Sequence, residues 1–186
     1  MLKLAKKYLD NEKYRDRKEI IKFVESDFLK YLEGLEDEKL DLAIVKYTFD
    51  HIKDIKVLFE LLFEKLKPEG RLIATIDNFG PELKSHSTNA RYLYKREEIP
   101  NGETRILKDG DSFTIKFFKI SGDPSSGYLE GAETAKYYHS SEKIKGLASS
   151  LGFDVFLGDW KDFVSKERQE GEKMDQNVLV LTKRIC

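Results

Sequence analysis

The sequence has few of the residues that build disulfide frameworks or metal sites. Its single cysteine, Cys186, is the last residue, so an internal disulfide framework is excluded. Its three histidines are scattered along the chain, and with one cysteine they give no zinc-ligand spacing. No Ser-His-Asp or Cys-His arrangement has a supporting motif. We therefore expect no metal site and no nucleophilic hydrolase.

Long apolar runs and an excess of one charge are missing as well. No apolar segment approaches the ~18 residues that a membrane helix needs, and the N-terminus carries charges where a signal peptide would have its apolar stretch. The 33 basic and 34 acidic residues nearly cancel, so no overall field attracts nucleic acid or an anionic membrane. The 186 residues, 12% of them aromatic, predict one folded cytoplasmic domain without a membrane partner or a clear nucleic-acid signal.

Apolar strands alternate with amphipathic helices in the first half of the chain. Residues 19–25, 40–46 and 71–77 read as strands, and residues 28–32 as a short helical stretch. Between the last two strands, apolar residues recur at i, i+3, i+4 and i+7 from Ile55 to Leu66, which predicts a helix that the Pro68–Gly70 segment ends. Near-continuous apolar strands separated by such helices indicate an α/β protein with a largely parallel sheet.

The second half begins with a different pattern. Residues 78–100 are polar and show no clear period, and residues 103–108 and 112–120 predict a β-hairpin around Asp109-Gly110. We interpret residues 78–139 as an insertion, or lid, within the domain. The α/β pattern then returns: a helix capped by Ser140 or Ser141 and ended by Gly152, a strand over residues 153–160, a charged connection, and a strand over residues 177–183.

Four segments in this order resemble a known family. KFVESDF, DLAIVKYTFDHI, LFEKLKPEGRLIATI and YYHSSEKIKGLASSLGFDV are similar to the middle and last parts of class I S-adenosylmethionine-dependent methyltransferases, across about residues 1–185. The resemblance implies a partial Rossmann-like sheet, mostly parallel with an antiparallel C-terminal strand, plus the β-hairpin insertion. It also implies S-adenosylmethionine as co-substrate and transfer of a methyl group.

The chain departs from the family at one point. In the family, the first strand ends in a Gly-rich loop that lets backbone amides approach the cofactor, and this sequence has no such loop. Residues 1–9 resemble the helix that follows the family's second strand. We therefore interpret residues 1–186 as a single, N-terminally incomplete methyltransferase-like domain. We expect it to be deficient in cofactor binding alone, with apolar surface exposed on strand 40–46 and helix 55–66 and association possible through the open sheet edge.

The resemblance implies cofactor contacts after two strands. An acidic residue at the place of Asp27 accepts from the adenine amino group in the family, and the amide of the next residue, Phe28, faces a ring nitrogen. Asp27 is equally suited to cap the following helix. Lys46 and Tyr47 leave the central strand, where ligands of α/β sheets bind, so Tyr47 is expected near the transferred methyl group or the acceptor.

Acceptor contacts are expected further along the chain. His51, which matches a common His-Ile pair of the family, is a candidate for the acceptor site, with a structural turn residue as the alternative. Asp50 is expected to cap the next helix or to bend the loop. The remaining acceptor candidates follow the 71–77 strand or end the insertion: Asn78, Phe79, Tyr138 and His139. For the insertion's tyrosines and histidines, the alternative is packing within a lid.

The function that follows is methyl transfer from S-adenosylmethionine to an unidentified acceptor. No NPPY-type signature follows the central strand, where KYTF stands instead, which favours a small-molecule acceptor; the catalytic residues stay unknown. The alternative is a non-catalytic, methyltransferase-like partner subunit. A third possibility is another nucleotide-binding α/β protein.

Overall fold

The structure, a computed structural model, describes residues 22, 24–77, 80–163 and 176–185. The predicted helix over residues 1–9, most of the predicted strand over residues 19–25 and most of the charged connection after residue 160 lie outside the described residues. The chain divides into two compact units, Met1–Leu35 and Glu36–Cys186. In the first unit, helix α1 (Phe28–Glu33) begins at its N-cap residue Asp27.

The second unit holds the remaining elements in an α/β order. They are β1 (Leu40–Val45), α2 (Ile55–Lys65), β2 (Leu66–Asp77), β3 (Glu82–Lys84), β4 (Ala90–Tyr94), β5 (Glu97–Glu98), β6 (Thr104–Ile106), β7 (Ser112–Ile120), β8 (Asp123–Tyr137), α3 (Ser141–Ser150), β9 (Phe153–Asp159) and β10 (Gln176–Lys183). Short 3-10 turns, Phe49–His51 and Trp160–Phe163, follow β1 and β9. No helix among these described elements is long and apolar enough to cross a membrane.

The main sheet has the strand order β1-β2-β10-β9. β1 and β2 are parallel, and β10 runs antiparallel to both β2 and β9. Three strands therefore share one direction, and the C-terminal strand opposes them from between β2 and β9. The α/β class is confirmed, with a sheet that is partly parallel and contains an antiparallel C-terminal strand.

Helix α2 forms because its apolar residues repeat at helical spacing and Asp54 caps its first turn. The Asp54 side chain accepts hydrogen bonds from the amides of Lys56 and Val57 at 3.1 and 3.3 Å. The helix ends at Lys65, three residues earlier than Pro68, because Leu66 is already extended and begins β2. Within β2, a Cβ atom on Gly70 would lie 2.7 Å from the carbonyl oxygen of Lys67, so only glycine fits this turn of the backbone.

The core lies on one face of the main sheet. α2 packs against β2 and α3, and the apolar residues at its repeat are buried: Ile55, Leu58, Phe59 and Leu62. The expectation that this helix exposes its apolar face is therefore wrong. β1 differs, because Leu42 and Ile44 are 48% and 70% exposed. β1 is also the last strand on its side of the described sheet.

The insertion builds two further sheets and a core of its own. The predicted hairpin between residues 103–108 and 112–120 is wrong, because β6 pairs with β3 while β7 pairs with β4 and β8. Two turns join paired neighbouring strands: Lys95-Arg96 between β4 and β5, and Ser121-Gly122 between β7 and β8. Six buried residues form the second core: Leu83, Ala90, Ile99, Leu107, Phe113 and Ile115.

Candidate functional site

The chain leaves β1 through an unusual backbone conformation at Tyr47. Its φ angle is +57°, in the left-handed region that non-glycine residues rarely adopt. The Tyr47 amide donates a 3.1 Å hydrogen bond to Thr75 Oγ1 on β2, which holds this conformation. The ring is 54% exposed, and Lys46 Nζ lies 4.8 Å from its centroid. Such strained residues concentrate at functional sites, and this one stands at the carboxyl edge of the parallel pair.

Asp50 lies in the 3-10 turn that follows, and it is buried. The expectation that it caps the next helix is wrong, because Asp54 does so. The Asp50 carboxylate instead accepts from the Asp77 amide at 3.2 Å, which ties the turn to the end of β2. With 7% of the residue exposed, burial raises the pKa of Asp50 to about 6, although Lys136 and His51 oppose the rise.

Lys136 of β8 joins the insertion to this buried carboxylate. Its ammonium group bonds Asp77 Oδ2 and lies 3.9 Å from Asp50 Oδ2. Gln176 completes the cluster, because its Nε2 donates to Asp77 Oδ1 at 3.0 Å. Burial lowers the pKa of Lys136, while the charge of Asp50 acts in the opposite direction. The four residues form a charge cluster at the carboxyl ends of β1 and β2, and we call it the Lys136 cluster.

His51 also contacts β8, from the surface. Its Nδ1 donates to the Ala135 carbonyl oxygen at 2.7 Å and lies 3.3 Å from Thr134 Oγ1. These contacts fit a turn residue that fastens the β1–α2 loop to the insertion.

A polar pocket of about 240 Å³ opens beside Asp77. Ile76, Ile144 and Leu157 supply its apolar wall, and Asp77, Tyr138, His139 and Glu142 its polar side. His139 Nε2 donates to the Ile52 carbonyl oxygen at 3.0 Å. Its Nδ1 is buried and has no hydrogen-bond partner in the described part of the chain. Burial lowers the pKa of His139, and burial together with Asp109 and Glu142 raises that of Tyr138.

The other predicted site residues lie in separate places. Asp27 Oδ1 accepts from the amides of Leu29 and Lys30 at 3.0 and 3.2 Å, so the capping role is met. Phe28 is the first residue of α1 and is half-buried. Both belong to the first compact unit. Asn78 and Phe79 lie outside the described residues. Within the second unit, the structure brings Lys46, Tyr47 and His51 to the end of β1, and Tyr138 and His139 to the pocket.

Sequence reasoning missed Thr75, Lys136 and Gln176. Asp77 ends one predicted strand and Gln176 directly precedes another, which is the signal that both lie at the sheet edge. No such signal marks Lys136. It reaches the sheet edge because β8 pairs with β7, and the sequence does not predict β8 as a strand. Among the described residues, no group of three or more potential His, Cys, Asp or Glu ligands could hold a metal ion.

Comparison with known proteins gives one family match over part of the chain and many structural matches. Residues 1–74 match the family model described as a methyltransferase domain. No curated protein matches the chain significantly. Among solved structures, 103 chains match.

Three of these structures show the range of the likeness. An S-adenosylmethionine-dependent methyltransferase from Archaeoglobus fulgidus is 19% identical, with a TM-score of 0.50, and the match covers 93% of this chain and 73% of that one. The PH0226 protein from Pyrococcus horikoshii is 14% identical with a TM-score of 0.54, over 99% and 69% of the chains. The CcbJ methyltransferase from Streptomyces caelestis is 12% identical with a TM-score of 0.56, over 94% and 70%.

The family match over the first 74 residues and the methyltransferase-like fold agree. Both agree with the resemblance to class I S-adenosylmethionine-dependent methyltransferases drawn from the sequence, the first over residues 1–74 and the second in the fold. The predicted enzyme class and co-substrate, a transferase that uses S-adenosylmethionine, agree with these matches.

Proposed function

We propose that this protein takes part in methyl transfer from S-adenosylmethionine to a small molecule held between the main sheet and the insertion. The observation that carries the proposal is the meeting of three features at the carboxyl ends of β1 and β2: exposed Tyr47, the Lys136 cluster and the pocket beside Asp77. Ligands of open α/β sheets bind in crevices at this edge. The modest volume of the pocket, about 240 Å³, favours a small acceptor over a macromolecular one.

Each compact unit, taken by itself, holds a residue suited to a contact with the co-substrate. Both capping bonds of Asp27 use Oδ1, which leaves Oδ2 able to accept from an adenine amino group. The exposed Tyr47 ring, fixed by Thr75, suits the end of the site where the methyl group is held. The co-substrate supplies a methyl group already activated on a sulfonium centre. The protein's part is then to align the acceptor and to exclude water.

The insertion carries the acceptor contacts in this proposal. β8 reaches the sheet edge through Lys136 and through the His51 contact to Ala135, and Tyr138 and His139 directly follow it. Variable segments on a rigid scaffold usually hold specificity determinants. Replacing residues 78–139 by the corresponding segment of a relative should change the acceptor that is methylated. An unchanged acceptor in a folded chimera would make the insertion structural only.

The direct test is a binding and transfer assay with radiolabelled S-adenosylmethionine. Because the 186 residues contain no Gly-rich loop, we expect weak binding by the chain alone and clear binding by a chimera that carries the first two strands of the Archaeoglobus fulgidus relative. In that chimera, Tyr47→Ala should reduce label transfer to small-molecule extracts at least tenfold. Tyr31→Ala, which truncates an exposed tyrosine of α1, is the matched control. Equal transfer by the two variants would remove Tyr47 from the site.

A second candidate function is a non-catalytic partner subunit. It is favoured by Leu42 and Ile44, because exposed apolar residues on an edge strand suit association with another chain. Under this alternative the chimera would bind no S-adenosylhomocysteine in calorimetry. Replacing Leu42 and Ile44 by threonine would then abolish association, as seen by light scattering.

A further inference from the structure

The pocket beside Asp77 presents hydrogen-bond acceptors that the protein itself does not use. His139 Nε2 must carry a proton, because its partner at 3.0 Å is the carbonyl oxygen of Ile52, which can only accept. In the neutral ring, Nδ1 is therefore an acceptor, and it is buried without a partner among the described residues. Burial lowers the pKa of His139, which keeps the ring neutral near pH 7.

A second unused acceptor belongs to Gln176, which does not line the pocket itself but bonds Asp77 and precedes Asn177, and these two residues do. Gln176 is 8% exposed, and its Nε2 is committed to Asp77 Oδ1. The other atom of the amide, Oε1, is also buried without a hydrogen-bond partner in the described part of the chain. A buried acceptor without a donor costs stability, so the His139 acceptor in the pocket, with the Gln176 acceptor on a residue that bonds the pocket's Asp77, indicates a site prepared for a donor-bearing molecule.

The size and charge of the pocket also suit a small molecule that donates hydrogen bonds. Its volume of about 240 Å³ is just below the range of ~300–1,000 Å³ typical of ligand pockets, which suits a molecule built on a single ring. Ile144 and Leu157 offer an apolar wall to such a ring. Asp77 and Glu142 add carboxylates to the polar side, and these disfavour an anionic ligand.

We propose that this pocket binds the methyl acceptor, that the acceptor is a small ring compound bearing a hydroxyl or amino group, and that His139 Nδ1 accepts the hydrogen bond from that group. The assignment deepens the proposed function and rests on it, because the bound compound is a methyl acceptor only if the protein takes part in methyl transfer. The pocket's preference for donor groups rests on His139 and Gln176 alone, so it can be tested without methyl transfer.

The test is a binding titration of the unmodified chain with three matched probes. Phenol carries an O–H donor, benzylamine carries an ammonium donor, and anisole has the ring and oxygen of phenol but no donor. We expect phenol, benzylamine or both to shift the imidazole nitrogen resonances of His139, and we expect anisole to bind at least about tenfold more weakly. Phenol alone or benzylamine alone would identify the hydroxyl or the amino class.

His139→Gln tests the residue itself. Glutamine can retain the donor to the Ile52 carbonyl oxygen but has no acceptor at the Nδ1 position, so the affinity for the preferred probe should fall about tenfold. His86→Gln, at an exposed histidine of the insertion, should leave it unchanged. Circular dichroism and the thermal midpoint establish that both variants are folded, and His139→Leu, which also has no acceptor at the Nδ1 position, is the replacement if His139→Gln is not.

Three results would overturn the proposal. They are equal binding of anisole and phenol, unchanged affinity in a folded His139 variant, and an imidazole spectrum that shows the proton on Nδ1. The outcomes separate this inference from the proposed function. Donor-selective binding in a protein that never binds S-adenosylmethionine would keep the pocket and remove methyl transfer, whereas methyl transfer unaffected by His139→Gln would do the reverse.

Discussion

Lys136 is the residue whose removal should test the charge cluster most directly. Its side chain is 14% exposed, and the side chains of Asp50 and Asp77 are 10% and 22% exposed. Lys136→Met keeps most of the apolar stem and removes the ammonium group that faces both carboxylates. Because Lys136 is in β8 and the carboxylates end β1 and β2, the substitution also removes a link between the insertion and the main sheet.

The loss of stability caused by Lys136→Met depends on the charges that remain buried without a partner. Removing one partner of a buried ion pair costs about 3–5 kcal/mol when the other charge stays buried and unpaired. The cost here should be lower, because Asp77 keeps its hydrogen bond from Gln176 and Asp50, with a pKa of about 6, can take up a proton. At pH 7 protonation of such a group costs roughly 1.4 kcal/mol. We therefore expect a loss of about 2–3 kcal/mol in the free energy of unfolding.

Urea unfolding followed by the fluorescence of the single tryptophan, Trp160, measures this loss. A double-mutant cycle with Asp77→Asn should give a coupling free energy of about 1–3 kcal/mol. Lys116→Met is the matched control, because Lys116 of β7 pairs with Glu133 at 3.8 Å with side chains 32% and 63% exposed, and it should cost less than about 1 kcal/mol. Equal losses in the two variants, or an additive cycle, would refute the reasoning.

Three further predictions concern stability. Because burial raises the pKa of Asp50 from 3.8 to about 6, the folded state binds this proton more tightly than the unfolded state. The contribution of Asp50 to stability should therefore fall by up to ~3 kcal/mol as the pH rises from about 4 to 6. The measurement is the difference in unfolding free energy between wild type and Asp50→Asn, and a difference that stays constant over this pH range would contradict the prediction. Asp54→Ala removes the cap of α2 and should cost about 1 kcal/mol in urea unfolding; no loss would mean that water replaces the cap. Gly152→Ala should lower the thermal midpoint, because φ is +102° and the new Cβ would lie 3.1 Å from the Phe63 ring, whereas Gly146→Ala, in open space within α3, should raise it; shifts of the same sign would contradict this.

The main sheet was predictable because its signals are local. The apolar repeat of α2, the cap at Ser140 and the apolar strands all lie within windows of about ten residues, and the structure has each of them within a few residues of the predicted bounds. The end of α2 at Lys65 lies within one residue of the predicted bound, but β2 begins at Leu66 and not at residue 71. The chain becomes extended at Leu66, and Pro68 and Gly70 shape the start of β2.

The insertion was not predictable to the same degree, because strand pairing there is decided by distant residues. Asp109-Gly110 has the composition of a hairpin turn, and Gly110 does adopt a positive φ of 87°. The loop nevertheless bonds elsewhere: Asp109 accepts from the amide and hydroxyl of Ser140, and the Gly110 amide donates to the Tyr138 carbonyl oxygen. A turn signal fixes the local backbone, whereas the choice of partner strand depends on which apolar faces meet.

That pairing decides what the site contains. In its sheet, β7 has β4 on one side and β8 on the other. Because β8 pairs with β7, with Phe113 opposite Lys136, the end of β8 lies beside the turn after β1, where Ala135 bonds His51 and Lys136 bonds Asp77. Two residues later the chain enters the pocket at Tyr138 and His139. The charge cluster and the pocket are thus consecutive parts of one strand end, so a change that shifts the register of β8 should disturb both together.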